Sequence, residues 1–427
     1  MMIRILKEGE VPISEILERS ETITGVEGTV ADIIADVKDN GDRALIAYAE
    51  KFDGACLKSL LVTEEEIEEA FSATEDEFIR ILKEAAANIE EYHRRQLRSG
   101  FEFSGAEGAL TGQKVIPVDR AGIYVPGGTA AYPSTVLMNA VPARIAGVGE
   151  IIMTTPPSAG GKIAPQILAA AKVAGVTKIF KTGGAQAVAA MAYGTESIPK
   201  CDKIVGPGNA YVAEAKRQVY GRVSIDMIAG PSEILVIADG KSDPVNVAAD
   251  MLSQAEHDRM ATAVLITESE ELAGNVAEEI DRQLETLPRK EIASASIENN
   301  GKIIVTDSLE RAAEISNELA PEHLELCTDD PFALLPKIKH AGSVFMGRYC
   351  PEALGDYLAG PNHTLPTSGT AKFASPLSVD DFIKKMQYTC YTEDALKKVA
   401  DDIAYFAEKE GLSAHARSAT VRFREKE

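Results

Sequence analysis

Six histidines, at positions 93, 257, 323, 340, 363 and 415, are the chain's natural candidates for proton transfer and metal binding. His323 stands in Ala320-Pro321-Glu322-His323-Leu324-Glu325. Pro321 disfavours a helical backbone at Ala320, so the helix expected from Leu309 should stop there. A carboxylate and an imidazole are then left side by side at a helix end. Such a pair suits general-base work, because a neighbouring carboxylate moves the imidazole pKa toward its working range. The plainer alternative is a turn whose histidine binds a carbonyl. Consecutive residues of a regular element point apart, so joint action of Glu322 and His323 on one substrate requires an irregular turn.

Gln254 and His257 lie three residues apart on a helix that Asp243-Pro244 should open, as N-cap and first helical residue, and that should run to about Asp258. Val247, Ala248, Met251, Leu252 and Ala255 form its apolar face, with the polar pair at the border. This pair is either hydrogen-bonded at a core edge or a pair of metal ligands. A glutamine amide is outside the usual zinc set, and residue chemistry alone would choose Glu256 or Asp258 as the histidine's partner. Asp356, Asn362, His363 and Thr364 crowd among glycines, which reads equally as a site loop or as a turn held by Asp and Asn side chains. His415, in Glu410-Gly411-Leu412-Ser413-Ala414-His415, reads alone as a surface histidine. His93 and His340 sit among charged neighbours and are assigned nothing.

The elements that must position these residues alternate. From about Gly112 to Gly240, apolar runs at 123–125, 151–153, 178–180 and 203–205 precede helical stretches. The pattern continues from Ile234 to about Phe345, with strands expected at 263–267 and 302–305. Such alternation implies βαβ units and parallel sheets. Glycines follow the strands at Pro126-Gly127-Gly128, Gly183-Gly184 and Gly206-Pro207-Gly208, the positions that line a ligand crevice in open α/β sheets. Gly206-Pro207-Gly208-Asn209 falls short of the dinucleotide fingerprint, lacking a third glycine and the acidic strand end. No G-x-x-x-x-G-K-[ST] or G-x-S-x-G occurs, which disfavours a P-loop NTPase or an α/β-hydrolase. The first hundred residues read as helices. Thr63/Glu66 and Thr74/Glu77 have capping-box spacing, and 75–98 carries one apolar stripe. A further stripe at Leu396, Val399, Ile403, Phe406 and Ala407 ends before a capping Gly411.

The length of 427 residues implies more than one compact unit. A formal charge of −22 argues against nucleic-acid or membrane-surface binding. No apolar run is long enough to span a bilayer, the N-terminus lacks a signal-peptide core, and five cysteines form no C-x-x-C. A cytoplasmic location is expected.

Five segments taken together resemble the histidinol dehydrogenase family: Asp226-Met-Ile-Ala-Gly-Pro-Ser-Glu233, Gln254-Ala-Glu-His257, Pro321-Glu-His-Leu-Glu325, Asp356-Tyr-Leu-Ala-Gly-Pro-Asn-His363 and Glu410-Gly-Leu-Ser-Ala-His415. They run in the expected order over almost the whole chain. The resemblance implies an α/β fold of two nucleotide-fold-like (aldehyde-dehydrogenase-like) parallel-sheet domains with small helical N- and C-terminal pieces. It implies an arm at 1–20, a first domain of 21–119 with 233–375, an NAD-binding domain at 120–232, and a tail at 376–427 that completes the site of a homodimeric partner. It further implies one zinc per subunit on Gln254, His257, Asp356 and His415, overriding Glu256 and Asp258. Substrate contacts fall on Ser232, Gln254, His257, His323, Asp356, His363, Glu410 and His415, and NAD contacts on Tyr124, Gln186 and Asn209. The implied reaction oxidises L-histidinol to L-histidine, with His323 taking the alcohol proton and Glu322 activating water. A relative acting on another zinc-chelating alcohol, a zinc hydrolase and a non-catalytic binding module are the alternatives. Glu410 together with His363 favours a cationic amino alcohol.

Overall fold

The computed structural model describes residues 3–18, 25–127 and 131–424. Gly128, in the first of the three glycine loops, and the expected arm boundary at 20/21 lie outside the described residues. The chain divides into two compact units, 1–96 with 118–382, and 97–117 with 383–427.

The larger unit contains two all-parallel sheets. The five-stranded sheet runs Lys178–Lys181, Glu150–Thr155, Arg120–Tyr124, Lys203–Val205, Ser224–Ile225 in space. The six-stranded sheet runs Arg4–Lys7, Lys302–Val305, Thr262–Thr267, Glu233–Ala238, His323–Cys327, Ser343–Met346. Numbered within each domain, and leaving aside the added N-terminal edge strand, both have the order 3-2-1-4-5. That is the doubly wound arrangement, whose chain direction switches between the first and fourth strands. Its central strands are buried apolar runs because helices cover both faces: all six residues of Glu233–Ala238 are buried.

The helices Glu27–Asp53, Glu64–Ala73 and Asp76–Arg94 share their cores with the five-stranded sheet. Leu82, Ala85 and Ile89 pack with Ile123, Val136 and Met153, while Val30, Val37 and Leu45 pack with Ile152 and Ile204. The expected grouping placed these helices with 233–375 instead. An amphipathic stripe shows that a helix covers something, but not which sheet it covers. The capping box at Thr63/Glu66 is formed. The one expected at Thr74/Glu77 is not: the next helix starts a residue later, Thr74 Oγ1 donates to the Ala70 carbonyl, and Glu77 pairs with Arg80.

The smaller unit contains an antiparallel sheet, Ile383–Cys390, Leu110–Pro117, Phe101–Ser104, with the helices Glu393–Lys409 and Ser413–Thr420. The terminal pieces thus carry strands as well as helices. Gly411 follows the long helix at φ +75°, as a helix-ending glycine should.

Candidate functional site

The chemistry gathers at the amino end of the two central strands of the six-stranded sheet. The Leu309–Leu319 helix ends on Ala320 in a left-handed conformation (φ 47°), and the strand begins at His323 after a two-residue turn. That turn is the irregular joint that lets neighbours act together. The His323 Nδ1 is 2.9 Å from the Glu233 carbonyl, and Glu322 Oε2 accepts the Glu233 N–H at 2.9 Å. Both catalytic candidates are therefore fixed by one residue of the adjacent strand. With Nδ1–H donating, the Nε2 lone pair is free. It is buried without a hydrogen-bond partner, 3.6 Å from Glu352 Oε1.

Burial dominates the electrostatics. It pushes the His323 pKa down to about 4, against the opposing pull of Asp356 and the Glu233 carbonyl. Glu322 therefore does not bring that pKa toward its working range, as the carboxylate–imidazole pairing alone would suggest. Glu322 is itself buried, so its pKa rises well above the usual carboxylate value, and its nearest approach to the ring is 3.7 Å. A neutral imidazole is the form that can accept a proton.

The Glu352–Tyr357 helix supplies two carboxyls one turn apart, Glu352 and Asp356. Burial, reinforced by Asp356, raises Glu352 to about 8. Burial also acts to raise Asp356, but the His363 hydrogen bond at 3.2 Å, with the charges of His363, His323 and His257, holds it down to about 2. The two carboxyls, one turn apart, are thus pushed in opposite directions. His323, Glu352 and Asp356 bring ligand atoms within 4.8 Å of one another. Sequence reasoning missed Glu352, although a carboxylate four residues before Asp356 on a helix was a readable signal.

Gln254 lies at the end of the Pro244–Ala255 helix. The helix stops short of the expected Asp258, and His257 sits in the following turn, exposed, its N–H on the Gln254 carbonyl at 3.1 Å. The Gln254 side chain is 1% exposed and lies beside the Glu352 carboxyl, yet neither its oxygen nor its nitrogen reaches hydrogen-bond geometry. The hydrogen-bonded Gln254–His257 pair is not formed. A buried amide short of good hydrogen-bond geometry is costly, and its neighbour in the chain is the Glu352 carboxyl. Asp258 is spent on the Met260 N–H at 2.8 Å. The residue types expected at a zinc, an amide oxygen from Gln254, a ring nitrogen from His257 and a carboxylate from Asp356, are donors that suit a borderline cation. The cluster gathered within 4.8 Å is His323, Glu352 and Asp356.

His363 is held by its loop as well as by Asp356. Asn362 accepts the Thr364 N–H at 2.9 Å and donates to the Met138 carbonyl at 2.6 Å, tying the loop to the helix that follows the central strand of the five-stranded sheet. Of the two readings of this segment, the Asn-stabilised turn is formed, and it sets His363 against Asp356. Ser232 is half-buried just before the Glu233–Ala238 strand, its carbonyl on the Thr262 N–H. Glu410 and His415 belong to the smaller unit, where both are exposed. His93, assigned nothing, is fully buried, with Nδ1 2.8 Å from the Ile89 carbonyl.

The five-stranded sheet presents its carboxyl end differently. Tyr124 ends the first strand, buried, and its hydroxyl accepts the Gly184 N–H at 3.1 Å. Gln186 lies in the first turn of the Gly184–Tyr193 helix. Asn209 caps the Ala210–Val219 helix, accepting from Tyr211 and Val212, which leaves its amide N–H groups for a ligand. Glycines make the cradle close: a Cβ on Gly127 would meet Pro156 at 2.4 Å.

The family model for histidinol dehydrogenase matches residues 17–423. A histidinol dehydrogenase from Clostridium acetobutylicum is 56% identical over 428 residues, 99% of each chain. One from Geobacillus kaustophilus is 57% identical over 393 residues, covering 92% of this chain and 93% of its own. The crystal structure of histidinol dehydrogenase from Elizabethkingia anophelis superposes with a TM-score of 0.93 at 40% identity, over 99% of this chain and 98% of that one.

Proposed function

This chain belongs to the histidinol dehydrogenase family, and from that premise we propose that it oxidises L-histidinol to L-histidine in histidine biosynthesis, a four-electron oxidation through bound L-histidinaldehyde that requires zinc and two NAD. The observation that carries the reading is the cluster of His323, Glu352 and Asp356, with the buried Gln254 amide next to Glu352 and short of good hydrogen-bond geometry. Zinc held by Gln254, His257 and Asp356, with His415 from a second copy of the chain, would orient the amino alcohol by its amine and imidazole nitrogens, and NAD would accept the hydrides.

The chain's own residues handle the protons. His323 takes the alcohol proton at Nε2, because Nδ1 is committed to the Glu233 carbonyl and the ring is neutral at physiological pH. Glu322, anchored by the Glu233 N–H, receives the proton of the water that attacks the aldehyde; its raised proton affinity makes its ionised form a stronger base. His363 pairs with Asp356 and holds its carboxylate ionised and oriented toward the metal position, and Ser232 contributes a hydroxyl. Tyr124, Gln186 and Asn209 hold the dinucleotide at the carboxyl end of the five-stranded sheet, where doubly wound sheets bind ligands.

Glu410 and His415 complete the site from the partner of a cytoplasmic homodimer. Support comes from the smaller unit, which leaves Phe101, Phe103, Ile403 and Phe406 exposed, an apolar surface of the kind that a partner covers. Among the described residues no helix is long and apolar enough to cross a membrane.

The test is NADH formation by zinc-loaded enzyme with limiting L-histidinol and excess NAD, run to completion. Two NADH per histidinol with histidine as product is the expected result. Oxidation of a different zinc-chelating alcohol, with histidinol untouched, would overturn the substrate assignment. Hydrolytic turnover without nicotinamide would overturn the reaction class.

A further inference from the structure

Gly206 follows the Lys203–Val205 strand, and side chains take both of its backbone polar groups. Its N–H donates to Asp226 Oδ2 at 2.8 Å, and its carbonyl accepts from Lys216 Nζ at 3.0 Å. Lys216 and Asp226 are also paired with each other, their side chains 2% and 1% exposed. Stability alone does not explain such a pair, since apolar residues of similar volume commonly replace buried ion pairs without loss. What the pair fixes is a close approach. Gly206 sits at φ +117°, and a Cβ there would lie 2.1 Å from the Tyr124 carbonyl oxygen. Tyr124 in turn reaches Gly184 through its hydroxyl. Asn209 is three residues beyond Gly206 and begins the helix that carries Lys216. The three candidate cofactor contacts therefore depend on a single joint.

We propose that the buried Lys216–Asp226 pair is a positioning device for the dinucleotide, locking Gly206 against Tyr124 so that Tyr124, Asn209 and the Gly184 turn form one preorganised cradle. Neither side chain touches the cofactor; both set its affinity through the Gly206 backbone. The inference rests on the assignment of NAD to this sheet end.

Two double variants of the full-length, zinc-loaded enzyme separate positioning from structure. Lys216→Met with Asp226→Leu fills the volume but leaves both Gly206 groups unheld. Lys216→Gln with Asp226→Asn removes the charges but keeps one donor and one acceptor for them. The first should raise the KM for NAD by about tenfold or more with kcat within about threefold, and leave zinc content and the KM for histidinol unchanged. The second should restore the NAD KM to within about threefold of the parent. A merely structural role would move the thermal midpoints of the two variants and leave the NAD KM alone, and that result overturns the proposal. A raised NAD KM in the Gln/Asn variant also overturns it, and can be read even if the apolar variant does not fold. Asn209→Ala serves as the control. If it raises the NAD KM while the apolar pair does not, the clamp fails and the cofactor assignment stands. If neither changes it, the cofactor assignment itself fails.

Discussion

The two parallel sheets of the larger unit share a strand order and differ in which end does the chemistry. In the five-stranded sheet the carboxyl ends of the first and fourth strands, at Tyr124 and Val205, open into glycine loops. In the six-stranded sheet the corresponding ends are closed by the chain's own charges. Arg348 pairs with Asp239 and Asp329, Lys241 pairs with Asp329, and Asp239 accepts the Asp329 N–H at 2.7 Å. The side chains proposed as catalytic, Glu322 and His323, lie instead at the opposite, amino end. Topology thus offers the same crevice twice, and side chains decide whether it is used. One end keeps glycine loops, and the other is filled by ion-paired side chains of the chain itself.

Several substitutions would break or sharpen that contrast. The largest effect is expected at the amino end: His323→Ala should lower kcat by roughly 10²- to 10⁴-fold with little change in the KM for histidinol, measured by steady-state NADH formation. An unchanged kcat would remove the base assignment. Next, metal removal by chelation should abolish turnover while the thermal transition stays cooperative and loses only a few degrees. Unfolding on chelation would make the metal structural. Asp356→Asn should mimic this by weakening zinc binding, read by metal content after dialysis.

A pH effect comes third. The His323 pKa is lowered to about 4 by burial, below an unfolded value near 6.5, so the folded state holds fewer protons between those limits. Stability from this group is full above pH 6.5 and declines as pH falls toward 4, by about 3 kcal/mol at most. In metal-free protein, the parent should therefore lose stability on acidification faster than His323→Gln, measured by denaturant midpoints from pH 7 to 4. The smallest effect belongs to the closed carboxyl end. Arg348→Ala should cost about 1–2 kcal/mol of stability and leave kcat unchanged. A fall in kcat would mean that this end is not inert.

The same contrast explains what could be read from the sequence. The strands around 123–125, 151–153, 178–180, 203–205, 234–237, 263–267 and 302–305 are legible because parallel strands buried on two faces are short apolar runs, whereas Ser224–Ile225, His323–Cys327 and Ser343–Met346 were not read. The edge strand Arg4–Lys7 and the antiparallel sheet of the smaller unit were not read, although Phe101-Glu102-Phe103-Ser104 carries the period-two alternation of a strand. The Glu322–His323 turn follows from Pro321, but the direction of the His323 shift depends on burial, a tertiary quantity. Gln254 shows the limit most clearly. Its residue type argued against a ligand, the resemblance argued for one, and its burial short of good hydrogen-bond geometry is a tertiary fact that no sequence pattern carries. Glu352 was visible as a helical neighbour of Asp356, whereas its approach to His323 comes from pairing between distant strands.

The central assignment is a division of labour in which His323 serves alcohol oxidation and Glu322 serves hydration of the aldehyde. A single-turnover experiment with Glu322→Gln, zinc-loaded and supplied with L-histidinol and excess NAD, tests it most directly. One NADH per site at near-parental rate, with the aldehyde retained and the second NADH delayed by roughly 10²-fold or more, is the result this division requires. Two NADH at the parental rate would contradict it.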